Sequence, residues 1–160
     1  LLEWAKENYA VDTTRVYVLG MSLGGYGTMD FCATYPEKIA AGMALCGGCS
    51  KKDVSGLGKL PMWIMHGTAD RAVSVRESQK VVEQLQQDGN DALLRYDWLK
   101  GGNHGILARL FYLQKTYDWL FSHSLRDNPR TVDRHFDITK EDIDQTYQDL
   151  KLLPHMYDND

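Results

Sequence analysis

Four short apolar runs, separated by stretches with helical spacing, constrain this chain more than any other feature. They are RVYVLG (15–20), IAAGMALCG (39–47), PMWIMHG (61–67) and ALLRYDWLKGG (92–102). Short, continuous runs of this kind mark strands buried on both faces, not strands with one face in water. Residues 23 to 35 read as a helix that Pro36 ends. Residues 74 to 89 turn Val75, Val81, Val82 and Leu85 inward and stop at Gly89. Residues 106 to 121 read as one strongly amphipathic helix. Strand and helix alternating at this spacing build βαβ units, so the expectation is a three-layer α/β fold around a parallel sheet.

The two ends depart from this rhythm. LLEWAKENYAV (1–11) reads as a helix already under way, with Leu1, Leu2, Ala5 and Tyr9 on one face, so the start looks cut. From Ser122 to Asp160 the chain turns polar and offers no strand candidate. One helix is expected near 139–152, opened by an approximate capping box of Thr139 and Asp142. Its apolar stripe would be Ile143, Tyr147 and Leu150. The expected division is a sheet domain over 1–121 and an appendage over 122–160.

Composition narrows the function. The chain has 160 residues, enough for one domain that buries about two-thirds of its unfolded surface. A net charge of -4 provides no basic footprint, so no nucleic-acid partner is expected. No apolar run reaches the roughly 20 residues a membrane span needs. The cysteines are Cys32, Cys46 and Cys49, an odd number that argues against a disulfide framework. Cys46 and Cys49 have C-x-x-C spacing, but no second pair or neighbouring histidine in sequence completes a zinc site. No metal and no cofactor are expected.

The chemistry gathers where strands end. Gly20-Met21-Ser22-Leu23-Gly24 fits G-x-S-x-G between an apolar strand and a helix. There a tight turn projects a serine hydroxyl above the sheet, with small residues on either side relieving clashes. The N–H of Leu23, first in the helix, is the expected oxyanion donor. A glycine-rich phosphate-binding turn would satisfy part of this pattern, yet neither G-x-G-x-x-G nor G-x-x-x-x-G-K-[ST] is present here. A serine nucleophile needs a base, and the base needs an orienting carboxylate. Asp70 follows the third run in HGTADRAV, and His104 follows the fourth in KGGNHGI. Both positions suit loops at the carboxyl ends of parallel strands. Asp53 and Asp97 compete for the acid role, Asp97 poorly because it lies inside a strand. His66 reads as a packed or hydrogen-bonded structural residue, and His123, His135 and His155 as surface residues.

GMSLGGYGTMDFCATYPEKIAAGMALCGG, MHGTADRAVSV and GGNHGI together resemble the α/β-hydrolase superfamily over about residues 1–121. The nearest branch is that of feruloyl esterases, dienelactone hydrolases, phospholipase/carboxylesterases and predicted peptidases. The resemblance implies a catalytic triad of Ser22, Asp70 and His104 and acyl transfer without a cofactor. It implies a small-molecule or peptide acyl substrate and leans toward a secreted or periplasmic enzyme. It also identifies the four strands with the last four of about eight, making residues 1–121 a partial catalytic domain. RVYVLG would then form an apolar sheet edge instead of a central strand. A second copy, a separate segment or the polar tail could cover it, and pairing of two copies across 15–20 is the expectation. A catalytically weak half-domain serving assembly is the competing reading.

Overall fold

Each apolar run forms a strand, and all four lie parallel in one sheet. The computed structural model describes residues 1–152, without the side chains of residues 147 and 149–152. The strands are β1 (Tyr17–Met21), β2 (Ala41–Leu45), β3 (Met62–Gly67) and β4 (Leu94–Leu99). Their order in the sheet is their order in the chain, β1-β2-β3-β4. β2 and β3 are buried along their whole lengths, as continuous apolar sequence requires. β1 is half-buried throughout and forms one edge of this sheet.

Side chains alternate between two apolar layers. Met62 and Ile64 join Met29 and Cys32 of α2 (Leu23–Thr34) and Val81, Val82 and Leu85 of α3 (Val75–Gln87). Trp63 and Met65 face the opposite way, toward Leu107, Leu110, Trp119 and Leu120. The inward residues expected on 74–89 include Val81, Val82 and Leu85, and Ser74 caps the helix by accepting from Arg76 N. Gly89, just past its end, has φ 63°.

Two helical expectations change in detail. The opening helix, α1, covers only Leu2–Asn8 and buries none of its residues; Leu1 and Tyr9 are exposed. The single helix expected over 106–121 is broken in two. A 3-10 segment covers Gly105–Tyr112, Leu113 is extended, and α4 runs over Gln114–Phe121. The break is hydrogen-bonded from within: Thr116 Oγ1 donates to Leu110 O and Tyr117 Oη to Phe111 O. It lets Leu107 and Leu110 reach the same layer as Trp119 and Leu120, which one straight rod would spread further apart.

The polar tail packs closely against the sheet layer. α5 (Lys140–Leu152) opens with a reciprocal capping box: Thr139 N donates to Asp142 Oδ2, and Asp142 N donates to Thr139 Oγ1. Ile138 and Ile143 join the layer that holds Trp119. Tyr147 and Leu150, expected on the same stripe, and His155 lie outside the described side chains. His123, expected at the surface, is buried with its ring edge-on to Trp119 at 4.7 Å. Its position at the end of α4 turns it under the tail instead of into water. Arg130 donates to the carbonyls of Ile39, Ala40 and Lys59, and Arg134 to those of Asp91, Ala92 and Leu94. All six lie at the amino ends of β2, β3 and β4.

The turn after β1 depends on close backbone contact. A Cβ on Gly25 would sit 2.5 Å from Leu45 O, and one on Gly47 would sit 2.7 Å from Gly25 C. Gly24 has open space around it, so only part of the glycine cluster is sterically required. Gly25→Ala is expected to cost about 1–3 kcal/mol through overpacking. Gly24→Ala should stabilise the helix by about 0.4–1 kcal/mol. Urea unfolding of the two variants against the parent chain checks both signs.

Candidate active site

The strand register brings the predicted residues to one end of the sheet. Met21 pairs with Leu45, and Leu45 with Met65, so Ser22, Cys46 and His66 form the next row across the sheet. Ser22 N donates to Leu45 O and Cys46 N to Met65 O, both at 2.9 Å, which extends the ladder into that row. Asp70 follows the end of β3, and His104 lies beyond β4 at the start of the 3-10 segment.

Ser22 stands at φ 59° and ψ -120°. A non-glycine residue held there costs about 1–3 kcal/mol and persists only when its surroundings over-determine it. Here the Leu45 carbonyl holds its N–H, while its own carbonyl accepts from Tyr26 N at 3.0 Å. A Cβ on Gly20 would meet Gly24 O at 2.3 Å, so the turn closes only with glycine before it. Leu23 begins α2, where the first N–H groups of a helix have no partner within it. Its side chain is 86% exposed, leaving that end of the helix open to a ligand.

His104 and Asp70 are joined directly. Nδ1 of His104 lies 2.6 Å from Asp70 Oδ2; the carboxylate is fully buried, and the imidazole is 27% exposed. Asp70 Oδ1 accepts from Ala72 N at 2.8 Å and Val73 N at 2.9 Å. Burial alone would push this carboxyl up. The Val73 N–H, the His104 ring, the Ala72 N–H and the Cys46 thiol outweigh it and draw the pKa down to about 2. Ser22 and His104 form no hydrogen bond with each other among the described residues. A cleft of about 590 Å3 beside His104 is lined by Ala69, Arg71, Ala72, Asn103 and Gly105.

The competing carboxylates have other roles. Asp97 accepts from Trp63 Nε1 and Arg95 Nε within the sheet layer. Asp53 is exposed and accepts from Ser55 N. His66 is the packed, hydrogen-bonded residue expected from sequence, bonded to Ser78 Oγ and Val73 O, whereas sequence reasoning missed Cys46. Cys46 has φ 48° and turns out of strand alternation, placing its thiol against Asp70. His66 comes within 3.3 Å of Asp70 Oδ2. Cys46 had no signal in sequence beyond its place at a strand end.

Cys46, His66 and Asp70 bring one ligand atom each within 4.8 Å, the geometry of an incomplete metal site. Their chemistry opposes that use. Burial pushes the Cys46 thiol up to about 12, and His66 and Asp70 are committed to protein partners. The donor set fits hydrogen bonding better than metal ligation.

No family model matches the chain. Poly(3-hydroxyalkanoate) depolymerase C of Paucimonas lemoignei is 29% identical, over 50% of this chain and 27% of its own length. Acetylxylan esterase A of Emericella nidulans is 42% identical, over 31% of this chain and 17% of its own. The crystal structure of a thermostable esterase matches with a TM-score of 0.70 and 30% identity. The match covers 77% of this chain and 35% of that one.

The fold is that of the esterase-like α/β-hydrolases. This chain spans about a third or less of the length of these relatives, so it presents part of the α/β-hydrolase architecture. Within that part, a strained serine turn and a bonded carboxylate–imidazole pair occupy the carboxyl end of the sheet. Together they bring a hydroxyl, an imidazole and a buried carboxylate to one end of the sheet.

The Asp70 pKa carries a stability signature. Its carboxyl is held below the ordinary value of 3.8, so it contributes stability that is present above pH 3.8 and lost as pH falls through about 2. Asp70→Asn should reduce the loss of stability between these pH values, measured by denaturant unfolding across that interval.

Proposed function

We propose that this chain forms the nucleophile-bearing part of a serine hydrolase that cleaves carboxylic esters. The observation that carries the reading is the 2.6 Å bond from His104 Nδ1 to buried Asp70, at the same sheet end as the strained Ser22 turn. Asp70 keeps the proton on Nδ1, leaving Nε2 free to accept the Ser22 proton. Ser22 Oγ then attacks the ester carbonyl, and the Leu23 N–H faces the developing oxyanion. His104 returns the proton to the departing alcohol. A water molecule, activated by the same imidazole, hydrolyses the acyl-serine and restores the hydroxyl.

An ester is preferred over an amide on the strength of the relatives, which are named as a poly(3-hydroxyalkanoate) depolymerase and an acetylxylan esterase. A peptidase on the same groups would need stronger protonation of an amine leaving group. The half-buried β1 edge supports the expected pairing of two copies, tested by light scattering: a dimer mass favours it and a monomer mass removes it.

A fluorophosphonate probe should label Ser22. Ser22→Ala should abolish labelling, and His104→Ala should slow it by about a thousandfold or more. Hydrolysis of a short-chain p-nitrophenyl ester should follow the same order. Absence of labelling at every pH between about 6 and 9 would favour a binding or assembly unit instead.

A further inference from the structure

We propose that Arg71 and Asn103 form a subsite for a carboxylate beside His104, so that the chain favours esters whose alcohol part is anionic. The proposal rests on the ester-hydrolase reading and adds a class of substrate to it.

The cleft beside His104 is rich in donors and poor in acceptors. Among the described residues, Arg71 brings a permanent positive charge to its lining, and no carboxylate is part of that lining. Arg71 is exposed and forms no hydrogen bond or ion pair among the described residues. The neighbouring carboxylate, Asp70, is buried and turned to the Ala72 and Val73 amides and the His104 ring. Asn103 Oδ1 accepts from Ile106 N at 3.0 Å, which fixes the orientation of the amide. Its Nδ2 is left with two protons to donate and no partner among the described residues. The remaining wall is small, formed in part by Ala69, Ala72 and Gly105, so the guanidinium is accessible.

Both donors stand on backbone that is held in place. Arg71 lies in the loop after β3, and Asn103 in the loop after β4. Hydrogen bonds stitch these loops together: Ala69 N donates to Gly102 O at 2.9 Å, and Gly101 N to Thr68 Oγ1 at 2.8 Å. A Cβ on Gly67 would meet Gly102 O at 2.2 Å, so the loops also touch backbone to backbone. Beyond Arg71, Asp70 Oδ1 pins the Ala72 and Val73 amides. A ligand thus meets two donors whose main-chain anchors need no ordering first.

A planar carboxylate suits this pair. A guanidinium matches its two oxygens, and an amide N–H adds a further bond to either. The part of the substrate that carries it follows from the chemistry. Ser22 keeps the acyl group, after β1 at one edge of the sheet, whereas His104 hands its proton to the departing alcohol. The alcohol part therefore lies against the imidazole, next to Arg71 and Asn103.

Hydrolysis of meta-acetoxybenzoate and of its methyl ester by the intact chain tests the proposal, because the two differ in one charge on the alcohol part. The ratio of kcat/KM, acid over methyl ester, should fall about fivefold in Arg71→Ala, through KM, and further in Arg71→Glu. Arg71→Lys should keep part of the preference, and added salt should reduce it in the unmutated chain. A merely structural loss would lower both rates together and leave the ratio where it was. An unmoved ratio in Arg71→Ala and Arg71→Glu, with both esters cleaved, overturns the subsite and leaves the hydrolase reading standing. If neither ester is cleaved and Ser22 takes no fluorophosphonate, the hydrolase reading falls instead. Binding of meta-hydroxybenzoate, followed by NMR at the Asn103 side-chain amide, then decides the subsite. A shift that Arg71→Glu removes supports it, and the absence of a shift overturns it.

Discussion

The contact between Gly25 and Gly47 sets the distance on which the rest of the site depends. It lets α2 lie backbone-to-backbone against the chain leaving β2, with no side chain between them. At that distance Leu45 O can hold Ser22 N, and the left-handed turn at Ser22 is fixed from both sides. A larger residue at either glycine would lift the helix, lengthen that bond and relax the serine into ordinary backbone. The hydroxyl's position is therefore set by missing methyl groups as much as by any bond the serine makes.

Asp70 plays the same organising role on the other side of the site. Its two oxygens hold the Ala72 and Val73 amides, the His104 ring and the Cys46 thiol, with the His66 ring 3.3 Å away. A buried carboxylate is expensive without such partners, and they come from three segments: the end of β2, the loop after β3 and the loop after β4. Loading this one group thus fixes the loop after β3, the end of β2 and the loop after β4 relative to one another.

Much of this was legible in sequence because it follows from short-range rules. Continuous apolar runs gave the strands, and the alternation with helices gave the parallel sheet. Ser22, Asp70 and His104 stood out because each follows a strand end. The break at Leu113 was not legible, because the apolar spacing of 106–121 is equally compatible with a straight helix. Only the hydrogen bonds from Thr116 and Tyr117 back to Leu110 and Phe111 favour two pieces. The place of Cys46 against Asp70, and the closeness of His66 to the same carboxylate, were not legible for a related reason. Their roles depend on which strands become neighbours, and Cys46 also departs from strand alternation through its positive φ. The buried setting of His123 depends likewise on how the tail folds over α4.

The two tail arginines give the molecule a division of labour between its poles. Arg130 and Arg134 collect six carbonyls beneath β2, β3 and β4, while the serine, carboxylate and imidazole stand above those strands. One pole resembles a footing and the other a workbench, joined by rigid strands about five residues long. Sequence drift in the footing changes how firmly the sheet is anchored without altering any group at the workbench. Durability and chemistry can thus be adjusted independently in a chain this small.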